Sequence, residues 1–311
     1  MWVRRYVRYY RGKHPRELGP THVRDFLTHL ARDGRVAAST QNQALAALLF
    51  LYGRVLEMPI AAPFDHMHAK GPMRLPVVLT RDEVDRVMAQ LRGPTLLMSQ
   101  LMYGGGLRLM ECCRLRVKDL DLERGELVVR EGKGQRDRVT VIPQQVIRPL
   151  RAHLVRVARQ HDHDIKAGGG YVELPGALRR KLGDAAAKGW PWQWVFPATR
   201  TYREAASGET RRHHLHETVL QRAVTTAVRA AGLEKRATCH SFRHSFATHL
   251  MADGYDIRTV QELMGHKDVR TTMIYTHVLN RGGLGVRSPL DVRPGDRDRR
   301  DGMRGPDSRG G

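Results

Sequence analysis

The chain has 311 residues and a formal net charge of +21, with 53 Lys and Arg against 32 Asp and Glu. This excess favours a polyanionic partner, so we expect nucleic acid rather than a membrane surface. No apolar run approaches the roughly 20 residues of a membrane-spanning helix, and three cysteines are too few for a disulfide framework. We therefore expect a cytoplasmic, nucleoid-associated protein of one large domain or two smaller ones.

Residues 1–62 predict a small helical domain with basic faces. Two segments within it, RDFLTHLARDG and STQNQALAALLFLYGRVLEMP, place apolar residues at the i, i+3, i+4 spacing of an amphipathic helix. Ser39 and Thr40 are the expected N-caps of the second segment. Residues 63–76 lose this periodicity and contain prolines, which predicts a linker.

Residues 77–290 predict a larger, mainly helical domain. It opens with TRDEVDRVMAQL, in which Thr80 and Glu83 have the spacing of a capping box. The segment GELVVREGKGQRDRVTVIP has two short β-branched runs around EGKGQ, which predicts a β-hairpin with Lys133 at its tip. Helical patterns dominate afterwards, and residues 291–311 have so little apolar content that we expect a disordered tail. The expected fold class is mainly α with a small β-hairpin.

Six candidate functional residues lie at turns or element boundaries. YGGGLRLME places an arginine directly after three glycines, where the backbone can approach a ligand closely. A histidine and an arginine lie three residues apart on one helix face in HSFRHSF. The complete set is Arg108, Lys133, His240, Arg243, His266 and Tyr275. Together these side chains form a pocket for an anion with several oxygens, because arginine forks bind phosphate in bidentate fashion.

This set suits phosphoryl transfer to a tyrosine. A tyrosine hydroxyl is a poor nucleophile at its ordinary pKa of about 10, but Tyr275 can attack phosphorus where neighbouring cations favour the phenolate. Positioned donors stabilise the charge that develops on the phosphorane, and Lys133 can protonate the departing 5′-oxygen. No carboxylate cluster has the pattern of a two-metal site, so the sequence predicts no metal, no ATP and no other cofactor.

The motifs GGGLRLME, REGKGQRDR, HSFRHSFATHL and LMGHKDVRTTMIYTHV, in this order and spacing, closely resemble those of the tyrosine recombinases, the phage integrase family. The resemblance implies a helical, SAM-like core-binding domain at 1–62 and a mixed α/β catalytic domain at 77–290. It assigns catalysis to the six residues above and a supporting role to Glu111. It also implies a homotetramer on two synapsed DNA sites. His244 and His249 match no catalytic position of the family, and we expect them to pack or to form hydrogen bonds.

An insertion near 171–216 resembles the extra helix and Trp-rich patch of the integron integrases. The resemblance implies exchange of gene cassettes on duplex sites and on folded single-stranded sites whose bases protrude. Trp190, Trp192, His213 and His214 are candidates to stack on such bases. The alternating tryptophans of WPWQWVF are also typical of a half-buried strand, and we expect at least two of the three in the core.

The remaining candidates for DNA binding are basic side chains. They are Arg4, Arg5, Arg8, Arg11, Lys70, Arg74, Arg179, Arg180 and Lys181. The histidines of the insertion lack the paired cysteines or HExxH spacing of a zinc site, so no metal ligands are predicted. In the family the first helix begins before WVRRYVRYYRGKHP, from which we expect a truncated start. Three alternatives stay open: an Xer-type or phage-type recombinase on duplex core sites, a DNA-binding module without catalysis, and an inactive truncated relic.

Overall fold

The structure is a computed structural model that describes residues 1–60, 76–130, 137–174 and 178–275. The chain divides into two compact units at residues 75 and 76. Three predicted functional residues, Lys70, Arg74 and Lys133, lie outside the described residues, as does the predicted tail. The described part is mainly helical with two small sheets, which confirms the predicted fold class. No helix in these ranges is long and apolar enough to cross a membrane.

The first unit is a small helical domain. Its helices are α1 (Trp2–Tyr9), α2 (Pro20–Arg32) and α3 (Ala38–Phe50), and a π-helical turn, Leu51–Val55, follows. The hydroxyls of the buried Tyr6 and Tyr52 lie 3.1 Å apart in the core, where Phe26 packs edge-on against Tyr6. The predicted caps Ser39 and Thr40 are wrong, because α3 already begins at Ala38 and both residues lie within its first turn.

The described part of the second unit contains the remaining α-helices. They are α4 (Arg81–Ala89), α5 (Gly93–Gly104), α6 (Leu109–Cys113), α7 (Gln144–Lys166), α8 (Leu178–Lys188), α9 (Glu217–Ala230), α10 (Cys239–Ala252), α11 (Ile257–Met264) and α12 (Val269–Met273). The predicted capping box at the start of α4 is confirmed, with reciprocal bonds of 2.8 and 3.2 Å between Thr80 and Glu83. Met98 and Leu101 of α5 and Phe242 of α10 are fully buried in one core cluster, which anchors α10 in the middle of the unit.

A three-stranded antiparallel sheet packs at one side of this core. Its strands are β1 (Leu120–Asp121), β2 (Glu126–Val129) and β3 (Arg138–Val141), paired in chain order. The predicted antiparallel pairing of the two runs is therefore confirmed, from Val129 opposite Arg138 onwards, while the predicted tip with Lys133 lies outside the described residues. Leu127, Val129 and Thr140 face the core, whereas Val139 and Val141 are exposed. This register places Arg138 at the end of β3 that approaches Glu111.

The insertion contains α8, a 3-10 helix (Trp190–Trp192) and an antiparallel pair, β4 (Pro197–Arg203) and β5 (Thr210–His214). The strand interpretation of WPWQWVF is wrong, because Pro191 has no N–H to donate to a ladder and its fixed φ suits a helical first turn. The expectation of two core tryptophans is wrong as well. Trp194 is buried, whereas Trp190 and Trp192 are half-buried.

Candidate active site

Three arginines converge on the C-terminal end of α11. The consecutive carbonyls of residues 263–265 each accept a hydrogen bond from one of them: the first from Arg138 Nε at 2.9 Å, the second from Arg243 Nη2, and the third from Arg108 Nη2 at 3.1 Å. The last carbonyls of a helix have no intrahelical partner and carry partial negative charge. The end of α11 therefore brings together three cations that are 135 residues apart at most in the chain.

Glu111 is the carboxylate that these arginines share. Arg138 donates to both of its oxygens at 3.0 and 2.6 Å, Arg108 donates from its backbone N–H at 2.7 Å and from Nη1 at 2.5 Å, and Arg243 lies 3.8 Å away. Burial raises the pKa of Glu111, but the bonds and charge of Arg138 and then Arg108 outweigh it and lower the pKa to about 2. The carboxylate stays ionised, and three arginines against one carboxylate leave a net positive site for an anion.

Arg243 is the most deeply placed of the three. Its Nη1 donates to the carbonyl of Gly106, and burial followed by the charge of Arg108 lowers its pKa to about 9. The glycines before Arg108 were predicted to let a ligand approach the backbone closely. In the structure, the protein's own atoms occupy the space that a side chain would need at two of them. A Cβ at Gly105 would lie 2.7 Å from the carbonyl of Val141, and one at Gly106, where φ is +65°, would meet the Phe246 ring at 2.5 Å. Their space is filled by the protein itself.

His266 is held as a neutral imidazole of defined tautomer. Arginine can only donate, so Nε2 of His266 accepts from Arg243 Nη2 at 3.2 Å. Nδ1 must then carry the proton, which it donates to the buried Thr272 Oγ1 at 2.9 Å. Burial, and next the charge of Arg243, lowers the pKa of His266 to about 4. Gly265 before it has φ +61°, and a Cβ there would lie 2.8 Å from Arg138.

Tyr275 lies just after α12 and is only 3 % exposed. Its hydroxyl is 2.9 Å from Nδ1 of His244, and its ring is stacked near that of His266 at a centroid distance of 6.1 Å. Burial raises the pKa of Tyr275, while the charges of Arg243 and Arg108 oppose the rise. The arginines thus act in the predicted direction, but burial outweighs them in this state, so the phenol is protonated rather than favoured as the phenolate.

Of the other two predicted catalytic residues, Lys133 lies outside the described residues, and His240 lies on α10 with His244 and His249. His240 is exposed on the first turn of α10, and its proximity contributes to the lowered pKa of His244. His244 and His249 form hydrogen bonds, His249 to the Tyr103 hydroxyl at 2.9 Å, but the partner of His244 is Tyr275 itself.

Sequence reasoning therefore missed two residues of the site. Arg138 lies within the motif REGKGQRDR, and its position as a charged residue at the start of a short Val-rich strand is a signal that points to a buried partner. His244 could have been found from its i+4 spacing to His240, which puts both imidazoles on one face of α10.

The predicted DNA-binding side chains differ in exposure. Arg4, Arg5, Arg8 and Arg11 of the first unit are exposed, as are Arg180 and Lys181 of the insertion. Arg179 forms ion pairs with Asp184, at 2.9 Å, and with Glu209.

Of the four aromatic candidates of the insertion, His213 and His214 line a small cavity, whereas Trp190 and Trp192 do not. Trp192 carries Lys118 over its ring at 3.4 Å, and the half-buried His213 lies against the buried His214 at a ring distance of 4.0 Å. A cavity of about 270 Å³ adjoins these histidines and Trp194, whose ring is covered on one face by Arg116 at 3.2 Å. Its remaining lining residues are Arg114, Glu173 and Leu174.

Comparison with known proteins gives matches over both units. Residues 77–281 match the model of the phage integrase family, and residues 1–62 match that of the phage integrase N-terminal SAM-like domain. An "Integrase/recombinase" of Escherichia coli and one of Pseudomonas aeruginosa are each 48% identical over 94% of this chain and 87% of their own length. "Tyrosine recombinase XerA" of Thermococcus kodakarensis is 34% identical over 81% of this chain and 75% of its own.

Solved structures share the fold. A Tn1549 transposon integrase in complex with transposon right end DNA has a TM-score of 0.59 and 16% identity, covering 97% of this chain and 92% of its own. A XerH site-specific recombinase bound to its palindromic difH substrate has a TM-score of 0.57 and 20% identity, covering 89% and 74%.

Proposed function

Because the chain belongs to the phage integrase family of tyrosine-type site-specific recombinases, enzymes that cleave DNA and transfer its strands, we propose that Tyr275 is its nucleophile. The observation that supports this most is the convergence of Arg108, Arg138 and Arg243 beside the Tyr275 ring and the neutral His266. A net positive pocket suits a phosphodiester, which carries one negative charge and gains more in the transition state.

In the proposed reaction, the Tyr275 hydroxyl gives its proton to solvent, and its oxygen bonds to phosphorus as the bond from phosphorus to the 5′-oxygen breaks. The products are a 3′-phosphotyrosyl link and a 5′-hydroxyl, which takes up the proton that Lys133 supplies as general acid. Attack by the 5′-hydroxyl of a partner strand then reverses the chemistry on a new junction. The bond energy stays in the phosphotyrosyl link, so the step consumes no ATP.

Each active-site side chain has a definite part in this proposal. Arg108 and Arg243 bind the non-bridging phosphate oxygens, and Glu111 keeps both guanidiniums in place. His266, whose Nδ1–H donates to Thr272 Oγ1, orients Arg243 through its Nε2. His240, exposed at the start of α10, contacts the DNA at the rim.

At the finer level, we propose that the enzyme is an integron integrase that exchanges gene cassettes on folded single-stranded and duplex sites. The support is the insertion, with α8 and the cavity beside His213 and His214. At about 270 Å³ this cavity is smaller than the roughly 300–1,000 Å³ pockets that hold drug-sized ligands, which suits one protruding base. Two strand exchanges need four nucleophiles, so the proposed assembly is a homotetramer on two synapsed sites.

The second candidate is an Xer-type recombinase that acts on duplex core sites, favoured by the 34% identity to an archaeal XerA. The two candidates differ in substrate. The test is covalent trapping on a cassette-site strand folded into a hairpin with protruding bases, nicked so that the 5′-hydroxyl fragment diffuses away. The integron proposal predicts an adduct on this strand and a much weaker one on the fully paired duplex of the same sequence. Equal adducts on both substrates would favour the Xer-type function.

A further inference from the structure

The hydroxyl of Tyr275 lies 2.9 Å from Nδ1 of His244, a residue that matches no catalytic position of the family motifs. His244 directly follows Arg243 on α10, so one turn of this helix brings both a guanidinium and an imidazole to the nucleophile. The pair is shielded, since Tyr275 is 3 % exposed and its ring packs with Phe246, Ala247 and Met264. Water therefore competes poorly for this hydrogen bond.

We propose that His244 is a positioning residue for the nucleophile: its Nδ1 accepts the hydrogen bond of the Tyr275 hydroxyl and thereby orients the attacking oxygen. The inference rests on the proposed role of Tyr275 in cleavage. A phenol has one proton to donate, and committing it to His244 leaves the oxygen lone pairs for the other directions. Those lone pairs form the bond to phosphorus, so the direction of the O–H bond decides where the oxygen can attack.

The role depends on hydrogen-bond geometry rather than on basicity. Burial, followed by the influence of His240 and Arg243, lowers the pKa of His244 to about 4. The imidazole is therefore neutral at neutral pH, and its Nδ1 keeps the lone pair that accepts the hydrogen bond. Asparagine can place an amide oxygen close to the position of Nδ1, whereas leucine fills similar space without an acceptor. His244→Asn should consequently preserve the function that His244→Leu loses.

The same helix offers a matched control. His249 is also half-buried, and its Nδ1 lies 2.9 Å from a tyrosine hydroxyl, that of Tyr103. The charged groups that influence His249 are Arg81 and Asp253 rather than the arginines of the site. His249→Leu therefore removes an equivalent His–Tyr hydrogen bond from α10 and leaves the nucleophile with its partner.

The first measurement is the single-turnover rate of adduct formation on the nicked substrate, together with DNA affinity. We expect His244→Leu to lower the rate about 10- to 100-fold with little change in Kd, since a misplacement of the order of 1 Å can cost that much. His244→Asn should stay within about threefold of wild type, and His249→Leu should react at the wild-type rate. A wild-type rate for His244→Leu overturns the proposal, and so does an asparagine variant as slow as the leucine variant.

The second measurement needs no DNA and separates this inference from the proposed function. In protein with 15N-labelled histidine, Tyr275→Phe should shift the Nδ1 resonance of His244 and leave that of His249 unchanged, while Tyr103→Phe should do the reverse. An unshifted His244 in Tyr275→Phe overturns the positioning role. If Tyr275→Phe shifts the His244 resonance but the wild-type protein forms no adduct, the proposed function is contradicted. If the adduct forms and its rate is insensitive to His244→Leu, only the positioning role is contradicted.

Discussion

Arg138 and Glu111 form a two-pronged ion pair, with N–O distances of 3.0 and 2.6 Å, beneath the arginines that face the proposed phosphate. The side chains of Arg138 and Glu111 are only 8 and 11 % exposed, so water cannot solvate either charge well if the other is removed. Arg138 also bonds to a carbonyl at the end of α11. The pair thus ties β3, α6 and α11 together at the point where the catalytic groups meet.

Glu111→Gln should therefore destabilise the protein more than loss of a surface carboxylate does. Removing one partner of a buried ion pair costs about 3–5 kcal/mol, because the other charge is left buried and uncompensated. The matched control is Glu123→Gln, which breaks a pair with Arg151 of the same 2.6 Å length but largely exposed, and should cost about 0–1 kcal/mol. Urea unfolding of both variants measures the difference, and equal losses would contradict the role given to Glu111.

Acid should destabilise the protein through the same carboxylate. The pKa of Glu111 is about 2 in the folded protein against 4.5 as the ordinary value, so the unfolded chain binds a proton first. Its contribution is complete above about pH 5 and is lost as the pH falls towards 2, by about 3 kcal/mol in total. Unfolding free energies measured from pH 6 to 3 should fall less steeply in Glu111→Gln than in wild type. Parallel slopes would rule out the depressed pKa.

Histidine titration adds a second pH effect at milder acidity. The pKa values of His244 and His266 lie near 4 because both rings are buried close to arginines, against 6.5 as the ordinary value. Between pH 6.5 and 4 the unfolded chain binds more protons than the folded one, so stability should drop as the pH is lowered through this window. His266→Gln should flatten the stability profile between pH 7 and 5, and a slope as steep as that of wild type would contradict the lowered pKa of His266.

Arg108→Ala should reduce cleavage far more than DNA binding. In the proposed reaction its guanidinium meets the charge that develops on the phosphate, so we expect the single-turnover rate to fall about 100- to 1,000-fold with a small change in Kd. The contrasting variant is Arg8→Ala, which removes an exposed arginine of α1. It should weaken binding and reduce the slope of log affinity against log salt by about one, without changing the rate at saturating DNA. Measurement of rate and affinity for both variants tests the division, and a slow Arg8→Ala at saturation would contradict it.

The cavity of the insertion gives a prediction about substrate choice. His213 is half-buried beside it, so His213→Ala should weaken binding of the folded cassette-site strand and leave binding of the paired duplex unchanged. A change of about 1–3 kcal/mol is the size of one base–aromatic stack. The control is His163→Ala, which removes an exposed histidine of α7 outside this cavity. Equal effects of His213→Ala on both DNAs would rule out a base-binding role.

Local patterns carried much of the fold and of the site. The antiparallel pairing of the two runs that flank EGKGQ and the Thr80 capping box follow from residues that are close in sequence, and the structure confirms both. Motif order predicted which arginines belong together, and Arg108 and Arg243 do meet at α11. Partners across the fold were not predictable in this way. The link from Arg138 to Glu111 and the burial of Tyr275 depend on how β3, α11 and α12 pack.

The insertion shows where pattern reasoning was insufficient. Alternating tryptophans fitted a strand, but Pro191 and its neighbours form a 3-10 helix, and the strand pair that does occur, β4 with β5, had no clear apolar alternation. Most of β4 is exposed, so its pairing rests on backbone hydrogen bonds and ion pairs that sequence periodicity does not reveal. The glycines before Arg108 were likewise interpreted as room for a ligand, whereas Phe246 and β3 occupy that space.

The most direct test of the account is to identify the residue that becomes linked to DNA. Trapped adduct from the nicked, folded substrate is digested with trypsin and nuclease, and the nucleotide-bearing peptide is sequenced by mass spectrometry. We predict a phosphotyrosyl bond at Tyr275, together with complete loss of adduct in Tyr275→Phe and retention of adduct in Tyr103→Phe. A DNA link at any other residue, or an adduct that persists in Tyr275→Phe, would contradict it.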